Sequence, residues 1–547
     1  MVINPKKSKR SKIGQQDYPS FSMSEPKGIV AIPPISDITR VSIRYPLIEP
    51  FSYAFIKWDS QGKKLLYTIE EPKMEADDTG TMRRIEEALV ETIDVKMSMI
   101  RNREEAIAYI QEKIQKVLDD MNLVLPSERY SKIAYYIVRD FVGLNEIEPL
   151  MFDPFIEDIG CSGLITPVYI IHKKFGSLET NIAYTDDEKL SNFVIKIAER
   201  CGRYISYATP LLDGRLPDGS RVQASFAKDV TTKGPTFSIR KFRKNPFSPV
   251  DLINLKTASP EMMAYIWLLI QHNFSIMISG GVSTGKTSFL NALSMFIPRE
   301  LKIVSIEDTR EINLPHENWI PSVSREGFGI PDATGRKYGE VDLFDLLKES
   351  FRQNPDYVIV GEVRGKEAYV LFQGMASGHA SLGTIHAGSL EDVIKRLEMP
   401  PIELSPSLVE SLDLIIIMTN AKEKGKSSRR VKEISEIQSV DASTGTAHSK
   451  KIFVWIPSDD IFKDTIEESD LIQKMAFQDG VQNQKVLSEL NDRKSVMLWM
   501  QKNDISHFEN VCYVINLFYK DKPSVMSWVK SNKNPFAKEK VFPVDAK

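Results

Sequence analysis

Apolar residues change their spacing several times along the chain, and the changes outline its parts. Residues 1–40 have no sustained apolar period and read as a disordered tail that carries Lys6, Lys7, Lys9, Arg10 and Lys12. SIRYPLIEPFSYAFIKWD (42–59) and KKLLYTIEE (63–71) read as two strands around a turn at Gly62. From about residue 98 to 123 the period becomes helical, with Ile107, Ile110, Ile114, Val117, Leu118 and Met121 on one face. SERYSKIAYYIVRDFVG (127–143) predicts a second helix opened by Ser127 as its cap. Residues 41–145 are therefore expected to form a small mixed domain, mostly helical.

Past Pro149 the apolar runs shorten. DPFIEDIGCSG and PVYIIHKKFGSLETNIAYT predict strands, 187–202 a helix, and TPLLDGRLPDGSRVQASF (209–226) tight turns at its two Asp-Gly pairs. TFSIRKF adds a strand, so 146–245 is expected to be an α+β domain, with a proline-broken linker over 246–256. Over 257–445 short apolar strands alternate with helices: FSIMIS, LKIVSIE, DYVIVGE, SLGTIH and LIIIMT, with DLFDLLKESFRQ between two of them. Buried strands separated by helices imply a mainly parallel sheet covered on both faces. Residues 446–547 hold one strand-like piece, KKIFVWIP, and otherwise read as a helical lobe.

Composition narrows the function classes. The formal net charge is −3 over 547 residues, which argues against a protein that wraps nucleic acid, so no stable nucleic-acid binding is expected. The three cysteines, Cys161, Cys201 and Cys512, make no CxxC pair and leave no four-cysteine zinc site, a pattern suited to a reducing cytosol. The longest apolar runs, YIWLLI and DLIIIMT, are core-element length, not membrane-span length.

The chemistry begins at GGVSTGKT, where Gly280-x4-Gly285-Lys286-Thr287 follows a strand and opens a helix. In that context the backbone of Gly280, Gly281, Val282, Ser283, Thr284, Gly285 and Ser288 would wrap phosphates. Lys286 would reach the β- and γ-phosphates of ATP, and Thr287 would ligate Mg²⁺. DYVIVGEVRG delivers Glu362 to the carboxyl edge of the sheet, where it could orient or deprotonate an attacking water. IEDTREINL ends a strand with Glu307, Asp308, Arg310 and Glu311, an acidic group able to hold Mg²⁺ or its waters. His379 and His386 flank ASLGTI and are expected to sense the γ-phosphate or a neighbouring subunit. Arg215, Arg221 and Arg240 precede the phosphate loop and could bring positive charge to the γ-phosphate.

The ordered set GGVSTGKT, IEDTREI, PDYVIVGEVRG and GHASLGTIHA resembles the ATPases of type II and type IV secretion systems, over about residues 130–440. DPFIEDIGCSG, DGRLPDGSRV and SIRKF look like that family's N-terminal domain, and the chain is most similar to the archaeal branch of archaellum motors and pilus-assembly ATPases. Where bacterial members commonly have GExRD, this chain has GEVRG, with Gly365 in the acidic position. The resemblance implies a RecA-like P-loop NTPase motor with an α+β, PAS-like N-terminal domain, a mainly helical N-terminal extension and a helical C-terminal lobe. It implies a homo-hexameric ring, cytoplasmic and peripherally associated with the membrane, docked on a polytopic inner-membrane platform protein. Glu362 would be the catalytic glutamate, Thr287, Glu307 and Glu362 the metal-binding set, and His379 and His386 supporting residues. A DNA-translocating, conjugation-type relative is the alternative.

Overall fold

The structure, a computed structural model, describes residues 21–546 apart from 22, 25, 27, 28, 33–36, 94–102, 243, 244, 326, 328, 330, 331, 334, 424, 425, 442–445, 537–540 and 544. The expected basic tail at residues 1–20 and the first residues of the helix expected from 98 lie outside them. The chain divides into two compact units, Met1–Phe242 with Glu539–Lys547, and Arg243–Lys538.

The first unit is built on one ten-stranded sheet. Its strands are β1 (Ser42–Ile48), β2 (Ser52–Asp59), β3 (Lys64–Glu70), β4 (Ile156–Cys161), β5 (Pro167–His172), β6 (Gly176–Ala183), β7 (Leu211–Arg215), β8 (Arg221–Ser225) and β9 (Thr236–Arg240). Beside the edge strand Asp545–Ala546 they run in the order β1-β2-β3-β6-β5-β4-β9-β8-β7. The strand expected over 42–59 is two strands, because the chain turns at Pro50 and Phe51 N–H donates to Ile48 O at 2.7 Å. The domain boundary expected at 145 is not a structural boundary: β3 pairs in parallel with β6, Leu66 opposite Glu179, and one core runs beneath both segments. The segment 41–145 contributes a three-stranded meander to that sheet as well as helices α1 (Ala76–Thr92), α2 (Arg103–Asp120) and α3 (Ser127–Phe141). α3 is capped by Pro126, with Ser127 already inside the helix. Asp213-Gly214 is strand, and the turn forms at Asp218-Gly219 alone.

A buried polar cluster ties the two segments together. The hydroxyls of Tyr45 on β1 and Tyr67 on β3 donate to Asp153 Oδ2 at 2.6 and 2.7 Å, and Phe155 N–H donates to Oδ1 at 2.7 Å. His172, stacked on Phe155, lies 3.5 Å from the Tyr45 hydroxyl, and burial holds its imidazole down to about 4. The carboxylate has partners on both oxygens, which is what makes a buried charge tolerable.

The second unit is a nine-stranded sheet with helices on both faces. It contains β10 (Ile276–Gly280), β11 (Ile303–Glu307), β12 (Trp319–Val323), β13 (Tyr357–Val363), β14 (Ala380–Ile385), β15 (Leu414–Glu423), β16 (Lys426–Val440), β17 (Ala447–Ile456) and β18 (Ile461–Asp464). The order is β12-β11-β13-β14-β10-β15-β16-β17-β18, parallel from β12 to β15 and antiparallel beyond. Alternation along β10 sends Ile276 and Ile278 to one face and Met277 to the other. After helix α4 (Asp187–Arg200) in the first unit, part of the expected linker is helix α5 (Pro249–Asn254), opened by a Ser248–Asp251 capping box at its N-terminus.

The tail does not stand apart from this sheet. β17 and β18 extend it, and helices α6 (Pro260–Gln271), α11 (Asp470–Asp479), α12 (Asn483–Lys502), α13 (Phe508–Lys520) and α14 (Lys522–Ser531) share one core with β10 and β15. Trp267 of α6, fully buried, stacks on Phe296 and donates its indole N–H to Tyr519 of α13 at 2.7 Å. The fully buried Arg430 on β16 makes a two-pronged ion pair with Asp460, between β17 and β18, at 2.8 and 2.9 Å. That guanidinium and the Trp455 indole N–H hold the Asp460 carboxyl down to about 2.

Candidate functional site

Parallel strands bring the carboxyl ends of β10, β11, β13 and β14 to one edge of the sheet, and the chemistry-bearing residues of the second unit gather there. β10 ends at Gly280, whose lack of a side chain is obligatory: a Cβ would lie 2.6 Å from Thr284 Oγ1 and 2.7 Å from Met418 O. The loop turns through Ser283 at φ 60° and Gly285 at φ 88°, left-handed conformations that favour glycine. Gly285 then caps α7 (Lys286–Ser294). This strand, loop and helix present backbone N–H groups and a helix N-terminus to one point, a geometry suited to phosphate.

Lys286 is buried and turned onto its own loop. Its ammonium donates to Gly281 O at 2.9 Å and lies 3.2 Å from His386 Nδ1. His386 Nε2 in turn lies 3.5 Å from Glu362 Oε1. A protonated lysine makes Nδ1 the acceptor, which puts the imidazole proton on Nε2, facing Glu362. Burial and the Lys286 charge push the His386 imidazole down, favouring this neutral form. Burial also pulls the Lys286 ammonium down, opposed by the negative charge of Glu362. Arg396 of α10 (Leu390–Glu398) donates to His386 O at 2.7 Å, fixing the backbone beneath the ring.

Glu307, at the end of β11, is almost fully buried. Its Oε1 accepts N–H bonds from Glu311 at 2.9 Å and Ile312 at 3.1 Å, while Oε2 is buried without a partner. Burial outweighs those two bonds and lifts the carboxyl to about 7. A buried oxygen with no donor suits a cation or its water, and Thr287, in the first turn of α7, brings a hydroxyl to the phosphate loop. Among the described residues no group of three or more His, Cys, Asp or Glu could hold a metal unaided. That donor set fits a Mg²⁺ that arrives with phosphates, which needs only one or two protein ligands. Next to Glu307, Asp308 pairs with Arg364.

Gly365 has a physical explanation. Glu367 Oε1 accepts from the backbone N–H groups of both Arg364 and Gly365 at 2.7 Å. A Cβ at 365 would lie 3.0 Å from Glu367 Oε2, so an aspartate there would press a second carboxylate on the first. Glu367 satisfies the loop's donors from two positions later.

His379 is not part of this group. It precedes β14 while His386 follows it, and Ser279 at the loop's base is level with Ile385. The six residues of β14 lie between the two histidines, and the seven steps from 379 to 386 span about 23 Å, which puts His379 at the opposite edge of the sheet. There its ring meets Phe351 edge-on, and Nδ1 is buried without a partner. Its expected place among the phosphate-facing residues is therefore corrected.

The three arginines all belong to the first unit, where the fold brings them into one row. Arg215 is directly opposite Arg221, and Arg221 opposite Arg240, so all three side chains leave the same face of β7, β8 and β9. Arg221 pairs with Asp213 at 2.7 Å, and Arg240 with Asp158 at 3.2 Å.

The sequence reading missed Arg429. Carried by β16, it crosses the phosphate loop: Nε donates to Ser283 O at 3.2 Å, and its Cδ would lie 3.0 Å from a Cβ on Gly285. No local signal marks it, because 146 residues separate the bonded pair.

Comparison with known proteins adds a family. A model described as "Type II/IV secretion system protein" matches residues 147–454. An uncharacterized protein of Methanocaldococcus jannaschii is 36% identical over 411 residues, 75% of this chain and 73% of that one. The type IV secretion system protein PtlH of Bordetella pertussis is 30% identical over 269 residues, 43% of this chain and 78% of its own. The crystal structure of the VirB11 ATPase of the Brucella suis type IV secretion system is 23% identical, covering 53% of this chain and 92% of that one, with a TM-score of 0.26. A TM-score that low lends no weight to a functional argument.

Proposed function

Because the chain belongs to the type II/IV secretion system protein family, we propose that it is an ATP-hydrolysing motor whose turnover drives assembly of an archaeal type IV pilus-like filament or archaellum. The fold class is α/β, a RecA-like P-loop unit joined to an N-terminal unit. The observation that carries the proposal is the contact series Lys286–His386–Glu362 beside the phosphate loop. An incoming γ-phosphate is a stronger partner for the Lys286 ammonium than Gly281 O and a neutral imidazole. Lys286 moves to it, the loop N–H groups take the β-phosphate, and His386 is released to donate Nε2–H. Glu362 orients the attacking water and accepts its proton. Mg²⁺ entering with the nucleotide would be held by Thr287 and by Glu307, with Glu362 near it, and would neutralise charge on the phosphates. Departure of phosphate returns Lys286 to His386, so occupancy is transmitted to β14 and α10.

The relatives in Methanocaldococcus jannaschii support the archaeal assignment. No helix among the described residues is long and apolar enough to cross a membrane. The motor would work as a homo-hexamer on the cytoplasmic face of the membrane, docked on a polytopic platform protein. The test is ATP turnover by the purified chain. Lys286→Ala and Glu362→Gln should each reduce turnover at least a hundredfold, Glu362→Gln while still binding ATP. Undiminished hydrolysis by either variant removes the proposed site.

A further inference from the structure

We propose that Arg429 is a second cationic clamp on the bound nucleotide, holding its α-phosphate end and not its γ-phosphate. The inference rests on the reading of Gly280–Thr287 as a nucleotide site. It goes beyond that reading by assigning a binding residue 142 positions downstream of the loop.

Sheet order carries the argument. Glu362 and His386 reach the loop from β13 and β14, on one side of β10. Lys286 points to that side, which therefore takes the terminal phosphate. Arg429 comes from β16, beyond β15, on the other side of β10. A phosphate chain laid along the loop from Lys286 runs toward Arg429 with its nucleoside end.

The side chain is suited to that role. Arg429 is exposed, and among the described residues its guanidinium has one hydrogen-bond partner, the Ser283 carbonyl. That bond uses Nε and leaves the two terminal nitrogens for a bidentate grip on phosphate oxygens. The stem is positioned over the loop because Gly285 has no side chain, with Nη1 3.7 Å from where a Cβ would sit. The next residue, Arg430, is fully buried and locked to Asp460, so the strand that presents Arg429 is anchored immediately beside it. An exposed arginine held over the phosphate loop beside a buried, ion-paired neighbour is placed to clamp a ligand.

ADP and ATP share the α-phosphate end, so the effect of losing Arg429 must be the same for both. The full chain and its Arg429→Ala and Arg429→Lys variants are titrated with fluorescent (mant) ADP and ATP, and steady-state ATP hydrolysis is measured in parallel. Arg429→Ala should weaken both nucleotides about tenfold or more, raise KM similarly and leave kcat within twofold. Arg429→Lys should recover part of the affinity, with both variants melting as the wild type does by circular dichroism. Binding of both nucleotides by Arg429→Ala within twofold of wild type overturns the clamp. So does a loss confined to ATP or to kcat, since that places Arg429 on the γ-phosphate. Failure of the wild type itself to bind either nucleotide overturns the nucleotide-site reading, and the clamp with it.

Discussion

Replacing Glu307 by glutamine should abolish a pH dependence of stability that this one carboxyl creates. In the folded chain Glu307 Oε1 accepts two backbone N–H bonds, but Oε2 is buried with none, and burial lifts the carboxyl from 4.5 to about 7. The folded state therefore keeps a proton that the unfolded state releases. Stability is unaffected below about pH 4.5, falls as pH rises through the interval, and levels off above about pH 7. At about 1.4 kcal/mol per pH unit, the full penalty is about 3 kcal/mol, of which about 2.5 develops between pH 5 and 8.5. Glutamine keeps an oxygen for the Glu311 and Ile312 N–H groups and carries no charge. Urea unfolding followed by tryptophan fluorescence, without nucleotide, should find Glu307→Gln little different from wild type at pH 5 and more stable by about 2–3 kcal/mol at pH 8.5. Equal pH dependence in the two proteins would refute the buried, partnerless carboxyl.

Three further outcomes are expected. Gly280→Ala should lose nucleotide affinity at least tenfold by mant-nucleotide titration, because its Cβ would meet Thr284 Oγ1 and Met418 O below 3 Å. Gly365→Asp should lower stability by about 1 kcal/mol through repulsion from Glu367, and adding Glu367→Ala should relieve most of that, giving a coupling of about 1 kcal/mol in a double-mutant cycle. Tyr67→Phe, which removes one of two hydroxyls from the buried Asp153 carboxylate, should cost about 1–3 kcal/mol in urea unfolding of the full chain.

Features encoded locally were legible in the sequence. The phosphate loop announces itself because glycine is required at fixed spacings between a strand and a helix, and Glu362 because an apolar strand ends on it. His386 was legible for the same reason, but not its separation from His379: the two were paired by motif, although the strand between them sets them at opposite edges. Long-range contacts left no such mark. The pairing of β3 with β6 brings residues more than 110 positions apart together, and no local period signals it. α1 escaped notice because only Ile85 and Leu89 among its apolar residues are buried, too few for a helical stripe. The tail read as a lobe because KKIFVWIP carries no sign of the sheet it joins. Arg429 was hidden by the same distance, and only the antiparallel return of β16 brings it back over the loop.

The inclusion of β17 and β18 in the motor sheet, and of the tail helices in its core, has a consequence for truncation. A shortened gene ending before residue 446 would leave β16 as a bare edge, Arg430 without its carboxylate and Trp267 without Phe518 and Tyr519 against it. Residues 446–536 are thus part of the motor unit's own core in this chain and not a detachable module.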